Sequence, residues 1–243
     1  IMDVMLNESA VRWRDRVRAF VDEELIPWEV HAEMHAGELP PETGARHARI
    51  AVEMGLPRMD IAIGDGGLGL GIEEQCAVWE QLGRVTNALC WCFSEAQHWM
   101  FEACSTDQIE RYVRPLMAST QRECYAITEA ESGSWESIDS TATRCDGGYF
   151  INGEKWFVTS ANLADFFFLQ ARLDNSEHAL FFMPIDAPGV TMVSSPLFTH
   201  TFASHHPTYR FENVFVSVAD RIGEEGAGMG YTRSWFRHER LMI

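Results

Sequence analysis

The chain has 243 residues, 46% of them apolar and 23% charged, enough for a sizeable core in one large domain or two ordinary ones. A formal net charge of −17 disfavours nucleic acid as a partner, because phosphate binding rests on clustered lysine and arginine. No apolar run approaches the roughly 20 residues of a membrane helix, so no membrane span is expected, and the 6 cysteines, without a C-x-x-C pair, read as reduced core thiols.

The opening, IMDVMLNESAVRWRDRV, mixes acids with arginines and lacks a signal-peptide core, so the expected location is cytoplasmic. Trp13, Val17, Phe20, Val21 and Leu25 then recur at helical spacing until Pro27 stops the pattern. A second helix is predicted from Pro41 to Met54, ended by Gly55. Ile72, Cys76, Trp79 and Leu82 give a third stripe, and the apolar segment from Ala88 to Cys104 a fourth, buried helix. Ser105 and Gln108 form a capping-box pattern for a fifth helix, Asp107 to Ala118.

Two motifs in this half invite a functional reading. GDGGLGLG contains G-x-G-x-x-G at Gly64, Gly66 and Gly69, but the βαβ unit of a dinucleotide site is missing around it, so a tight connection between helices is the better account. His31 and His35 in HAEMH are spaced like helix-borne zinc ligands. Their order is not that of a metalloprotease, and no metal is expected.

After Arg122 the period becomes that of strands. In GGYFINGEKWFVTS, Asn152-Gly153 separates two β-rich runs and predicts a hairpin. ADFFFLQAR, HALFFMPI, PTYRFEN and VFVSVAD read as further strands, with the loop pair His205-His206 read as structural. GEEGAGMG makes a glycine-rich turn, and YTRSWFRHERLMI begins a helix. The expected fold class is therefore α+β: an all-helical N-terminal domain (residues 1–122), a mainly antiparallel, barrel-like β domain (123–233), and the start of a C-terminal helical bundle (234–243).

The stretch YAITEAESGSWES is the most suggestive. An apolar strand ends at Thr128 in a loop of hydroxyls and small residues, suited to a flat heterocycle or a phosphate held near the main chain. About 30 residues on, KWFVTS repeats the arrangement, with Trp156 and Phe157 before Thr159. An aromatic face beside a hydroxyl can cover a flat ring and bond its edge.

These segments resemble the acyl-CoA dehydrogenase family of flavoproteins, whose middle domain carries patterns like TEPGAGSD, NGxKxWIT, FexVxVP and GxxGxG. Here they read TEAESGSW (Thr128 to Trp135), NGEKWFVT (Asn152 to Thr159), FENVFVS (Phe211 to Ser217) and GEEGAGMG (Gly223 to Gly230). GGLGLG and STDQIERYVRPLMAS also sit where the family has similar segments, so the likeness covers nearly the whole chain in order.

The resemblance implies FAD as cofactor, with Tyr125, Ile127, Thr128, Gly133, Ser134, Phe157, Val158 and Thr159 in its binding set. Thr128 would bond the pyrimidine end, Phe157 would shield one ring face, and Thr159 would sit near the reactive nitrogen. Ser134, Trp135 and Arg240 would face the acyl-CoA substrate. The reaction implied is α-proton removal by a carboxylate with β-hydride transfer to flavin, and Glu239 aligns with the base of a minority of members. An electron-transfer flavoprotein or similar acceptor and a homo-oligomer, dimer or tetramer, would follow. The family's Pro-Gly-Ala is Ala130-Glu131-Ser132 here, and its Asp is Trp135. That leaves a flavin oxidase or monooxygenase, or a non-catalytic partner subunit, as alternatives.

Overall fold

The computed structural model describes residues 6–131, 134, 136–199, 202 and 204–242, and its elements follow the two periodicities of the sequence. Asn7 caps α1 (Glu8–Phe20) by accepting from the Ala10 N–H at 2.8 Å, and a π-turn over Val21–Leu25 extends it toward Pro27. After the short α2 (Glu29–Met34), α3 (Pro41–Met54) begins on proline and stops at Gly55, which takes φ +84°. GDGGLGLG is a tight connection, with a single 3-10 turn at Ile63–Asp65, and leads into α4 (Ile72–Leu82). Val78, Trp79 and Leu82 of α4 share a core with Val17 and Phe20 of α1.

The helix expected from Ala88 to Cys104 is broken in two, α5 (Asn87–Cys90) and α6 (His98–Ala103). The stretch between them is irregular because its polar groups find partners outside a helix. Ser94 Oγ donates to Leu116 O at 3.2 Å, and Asp60 accepts the His98 N–H at 2.8 Å at the start of α6. Ser105 and Gln108 form the capping box in both directions and start α7 (Thr106–Gln108), which runs through a π-turn over Ile109–Val113 into α8 (Arg114–Met117).

Eight strands follow: β1 (Glu123–Ala126), β2 (Thr141–Cys145), β3 (Gly148–Lys155), β4 (Phe166–Leu173), β5 (His178–Pro184), β6 (Val190–Ser194), β7 (Thr208–Ser217) and β8 (Arg221–Ile222). They form one mainly antiparallel sheet in the order β6-β7-β3-β2-β4-β5-β8. The exceptions are β1 and β2, which both run parallel to β4, β1 beside Phe166–Leu169 and β2 beside Arg172 and Leu173. Alternation along β4 sends Phe166 and Phe168 into a core with Trp99, Tyr112 and Leu116 of the helices. Phe167 and Leu169 point into the sheet's second core with Phe181 and Phe211. Covered on both faces, β4 opens as an unbroken apolar run, Phe166 to Leu169.

The hairpin lies elsewhere than Asn152-Gly153. Asp146-Gly147 makes the turn, pairing Cys145 with Gly148, and β3 runs straight through Asn152-Gly153. Gly153 instead marks a bulge against β7, with φ +150°. A Cβ there would meet Ser140 Oγ at 2.2 Å, so glycine is required by close approach of a neighbouring segment. Asn152 completes the bulge by accepting the Asn213 N–H at 2.8 Å. Asn213, at φ +49°, bends β7, which unites the two strands expected as PTYRFEN and VFVSVAD.

After the glycine-rich turn, α9 (Gly228–Met242) crosses back over the sheet. Thr232 donates to buried Gln170 Oε1 at 2.6 Å, and Tyr231 stacks on Trp99 with ring centres 5.5 Å apart. Among the described residues no helix is long and apolar enough to cross a membrane.

Gly153→Ala is expected to destabilise the protein by about 1–3 kcal/mol, since it combines a clash with a strained φ. Gly147→Asn, at φ +76° but with open space around it, should cost less than about 1 kcal/mol. Urea unfolding of the two variants checks the difference; similar midpoints would remove the close-approach argument.

Candidate active site

The site begins at an interruption in the sheet. β1 ends at Ala126 and β2 begins at Thr141 along one edge of β4, so the chain between them must leave the sheet and return. It leaves beside the end of β3, where the Trp156 N–H donates to Thr128 O at 2.8 Å. Behind that bond, Lys155 is 0% exposed; its Nζ donates to Ile127 O at 3.0 Å and to Glu129 Oε1 at 2.7 Å. Glu129 also accepts the N–H groups of Asp139 and Ser140, at 2.6 and 3.0 Å, so both ends of the loop are gathered on one carboxylate. Burial alone would raise the pKa of Glu129, but the charge and hydrogen bond of Lys155 override it and hold the carboxyl below its ordinary range.

In front of this knot lies a cavity of about 580 Å³, within the range of small-molecule sites. Its wall includes Thr128, Phe157 and Thr159 together with Tyr125, Ile127 and Glu239. The two hydroxyl-bearing strand ends therefore meet at one concavity. Phe157, a residue 51% exposed, is held at φ +51°, a backbone state that bulky residues rarely adopt away from functional sites. Thr159 Oγ1 and His206 Nδ1 are 2.8 Å apart, and Ser160 Oγ and His205 Nε2 are 2.9 Å apart, so the adjacent histidines brace this wall.

Other candidates lie apart from the cavity wall. Val158 is buried in the sheet core, and Ser134 is exposed, accepting the Glu136 N–H at 3.0 Å. Arg240 is exposed, its guanidinium 5.9 Å from the centre of the Phe236 ring. Gly133 and Trp135 lie outside the described residues. Among the described residues, no group of three or more His, Cys, Asp or Glu could hold a metal ion.

Glu95 and Glu123, which the motifs do not mark, join Glu239 on the wall. Glu95 comes from the irregular stretch between α5 and α6; its Oε2 lies 2.9 Å from His238 Nε2 of α9. Burial opposes ionisation of both partners. For His238 the charge of Glu95 prevails and its pKa is raised, while for Glu95 burial prevails and its pKa is raised too. Burial pushes Glu123 and Glu239 each up to about 7. Trp235 of α9 stacks on Tyr125 at 4.1 Å, fixing the helix face that carries Glu239.

A helical layer, a sheet interrupted beside a buried lysine, and a returning helix that closes a cavity define an α+β ligand-binding fold. Family models described as acyl-CoA dehydrogenase, N-terminal domain, and acyl-CoA dehydrogenase, middle domain, match residues 7–120 and 124–214. The chain belongs to the acyl-CoA dehydrogenase family. It is 29% identical to benzylmalonyl-CoA dehydrogenase of Aromatoleum aromaticum over 99% of this chain and 64% of that protein. It is 28% identical to L-prolyl-[peptidyl-carrier protein] dehydrogenase of Serratia sp. over 67% of this chain and 45% of that one. The chain thus spans less than two thirds of these relatives. A probable acyl-CoA dehydrogenase from Mycobacterium abscessus superposes with TM-score 0.83 at 26% identity, covering 96% of this chain and 63% of its own. An acyl-CoA dehydrogenase from Bacillus anthracis, complexed with FAD, shares the fold with TM-score 0.81 at 22% identity, over 99% of this chain and 41% of its own.

Lys155→Met should destabilise the protein by about 3–5 kcal/mol, because it leaves the Glu129 carboxylate buried without its cation. The double variant Lys155→Met, Glu129→Gln should recover part of that loss. Urea denaturation of both checks this; a single variant as stable as the parent would remove the pair from its structural role.

Proposed function

We propose that this chain carries the cofactor and acyl cavity of an FAD-dependent dehydrogenase that introduces an α,β double bond into an acyl-CoA thioester. The observation that carries the reading is the meeting of Thr128, Phe157, Thr159 and Glu239 on one cavity wall. The residues fit a flat heterocycle: an exposed Thr128, a half-exposed Phe157, and a Thr159 hydroxyl steadied by His206. FAD, when bound, supplies the acceptor for the β-hydride.

The chain's own part is proton removal and orientation. Glu239, pushed up to about 7 by burial, is a stronger base than a free glutamate and is half ionised near neutral pH. It takes the α-proton onto a carboxylate oxygen, while the Tyr125–Trp235 stack keeps α9, and with it the carboxylate, against the sheet. The pair Glu95–His238, one residue earlier on α9, ties the helix to the irregular stretch between α5 and α6. The reading brings with it an electron-transfer flavoprotein or similar acceptor, a homo-oligomer and a cytoplasmic location.

The purified protein should be yellow and should bleach on anaerobic addition of an acyl-CoA. Glu239→Gln should slow bleaching by about 10²–10⁴-fold with FAD content retained. Because only the ionised carboxylate accepts the proton, the bleaching rate should rise with pH through about 7. Stopped-flow spectroscopy at 450 nm, a wavelength of about the flavin maximum, follows both. Colourless protein, or unchanged bleaching in the variant, would refute the assignment, and rapid peroxide formation in air would favour a flavin oxidase.

A further inference from the structure

Glu239 shares its helix face with two aromatic residues. Trp235 and Phe236 stand four and three positions before it on α9, and all three line the cavity. Residues at these spacings are neighbours on a helix surface, with Cβ atoms about 5–6 Å apart. Trp235 and Phe236 are half-buried, and their rings meet at 55° with centres 5.3 Å apart, which makes a corner. Tyr125 stacks on Trp235 at 4.1 Å and holds that corner against the sheet.

The stretch between α5 and α6 adds Trp91 and Phe93 to the same cavity, and Phe93 is backed by Trp79 of α4 with ring centres 6.1 Å apart. Aliphatic lining is scarce beside these rings. Among the described residues it consists of Val85, Met242 and Ile127, the last next to the hydroxyl-bearing end of β1. A polymethylene chain gains from a ring face only what its buried area gives. A second aromatic ring gains more, because edge-to-face and offset-stacked pairs add an attraction beyond area.

We infer that the acyl group taken by this cavity carries an aromatic ring on its β-carbon, as in a 3-arylpropanoyl thioester. The inference rests on the dehydrogenase reading above and names its substrate class. A ring on the β-carbon has its centre about 4 Å from the α-carbon by ordinary bond lengths. That offset matches the single helical turn between Glu239, which meets the α-proton, and the corner made by Trp235 and Phe236. The proton passes to Glu239 and its bonding pair becomes the new π bond. The benzylic β-hydrogen leaves with its own pair for the flavin, and the double bond that forms is conjugated with both ring and carbonyl.

The test sets 3-phenylpropanoyl-CoA against 3-cyclohexylpropanoyl-CoA on the FAD-loaded protein, by calorimetry and by flavin bleaching. The two share one carbon skeleton, but the cyclohexyl group has the larger apolar surface, so a plain hydrocarbon pocket prefers it. The phenyl compound should bind about tenfold tighter, as two aromatic pairs allow. Phe236→Leu should reduce that ratio to below about threefold with FAD content retained, and Phe93→Leu takes its place if that variant does not fold. Equal or reversed affinities overturn the inference, and bleaching by either thioester then leaves the dehydrogenase reading standing. A ratio unmoved in the variant, or a loss of FAD in place of the ratio, overturns it too. If neither thioester binds, the dehydrogenase reading falls, and benzyl alcohol against cyclohexylmethanol decides. Tighter binding of benzyl alcohol keeps the aromatic subsite, and no preference removes both.

Discussion

The site depends on one buried ion pair. Lys155 and Glu129 come from segments 26 residues apart, and their contact at 2.7 Å joins the end of β3 to the loop between β1 and β2. A charge pair without water is tolerable only when every remaining donor and acceptor is used. That condition is met here by Ile127 O on one side and by the Asp139 and Ser140 N–H groups on the other. The geometry that satisfies the pair also sets Thr128 against Trp156 and turns Phe157 outward in its left-handed conformation. The cavity wall is thus a by-product of an electrostatic requirement deeper in the protein.

From the opposite side the wall is completed by α9. Its contacts alternate between layers: Thr232 with Gln170 of β4, Trp235 with Tyr125 of β1, His238 with Glu95 of the broken helix. Helical spacing of these contacts puts one face of α9 into the structure, so Glu239 faces the cavity while its neighbour Arg240 is exposed.

Local signals in the sequence were readable where the physics is local. Gly55 ends α3 because a left-handed cap needs glycine, and Ser105 with Gln108 caps α7 through bonds three residues long. Asn152-Gly153 misled because Asp146-Gly147, a few residues earlier, meets the same turn preference, and only the pairing of β3 with β7 decides between them. The segment from Ala88 to Cys104 looked helical because its apolar content hides the contacts of Ser94 and Asp60 that break it. Strand β6 escaped notice since its side chains are largely exposed and carry little alternation. At the site, the motif residues Thr128, Phe157 and Thr159 were legible through resemblance. Lys155 with Glu129, and Glu95 with His238, were not, because each is defined by a partner at a distance that no local pattern encodes.

Lys155 is the sole lysine of the sequence, and it is wholly enclosed. Every other basic side chain apart from histidine is an arginine, whose guanidinium stays protonated and is a poor nucleophile. The folded surface therefore offers no lysine amine to an electrophile. Electrophiles that acylate free amines, thioesters among them, would find no lysine to modify on this surface. For the same reason, amine-directed cross-linkers and fluorophores would pass over its lysine unless the molecule first opened.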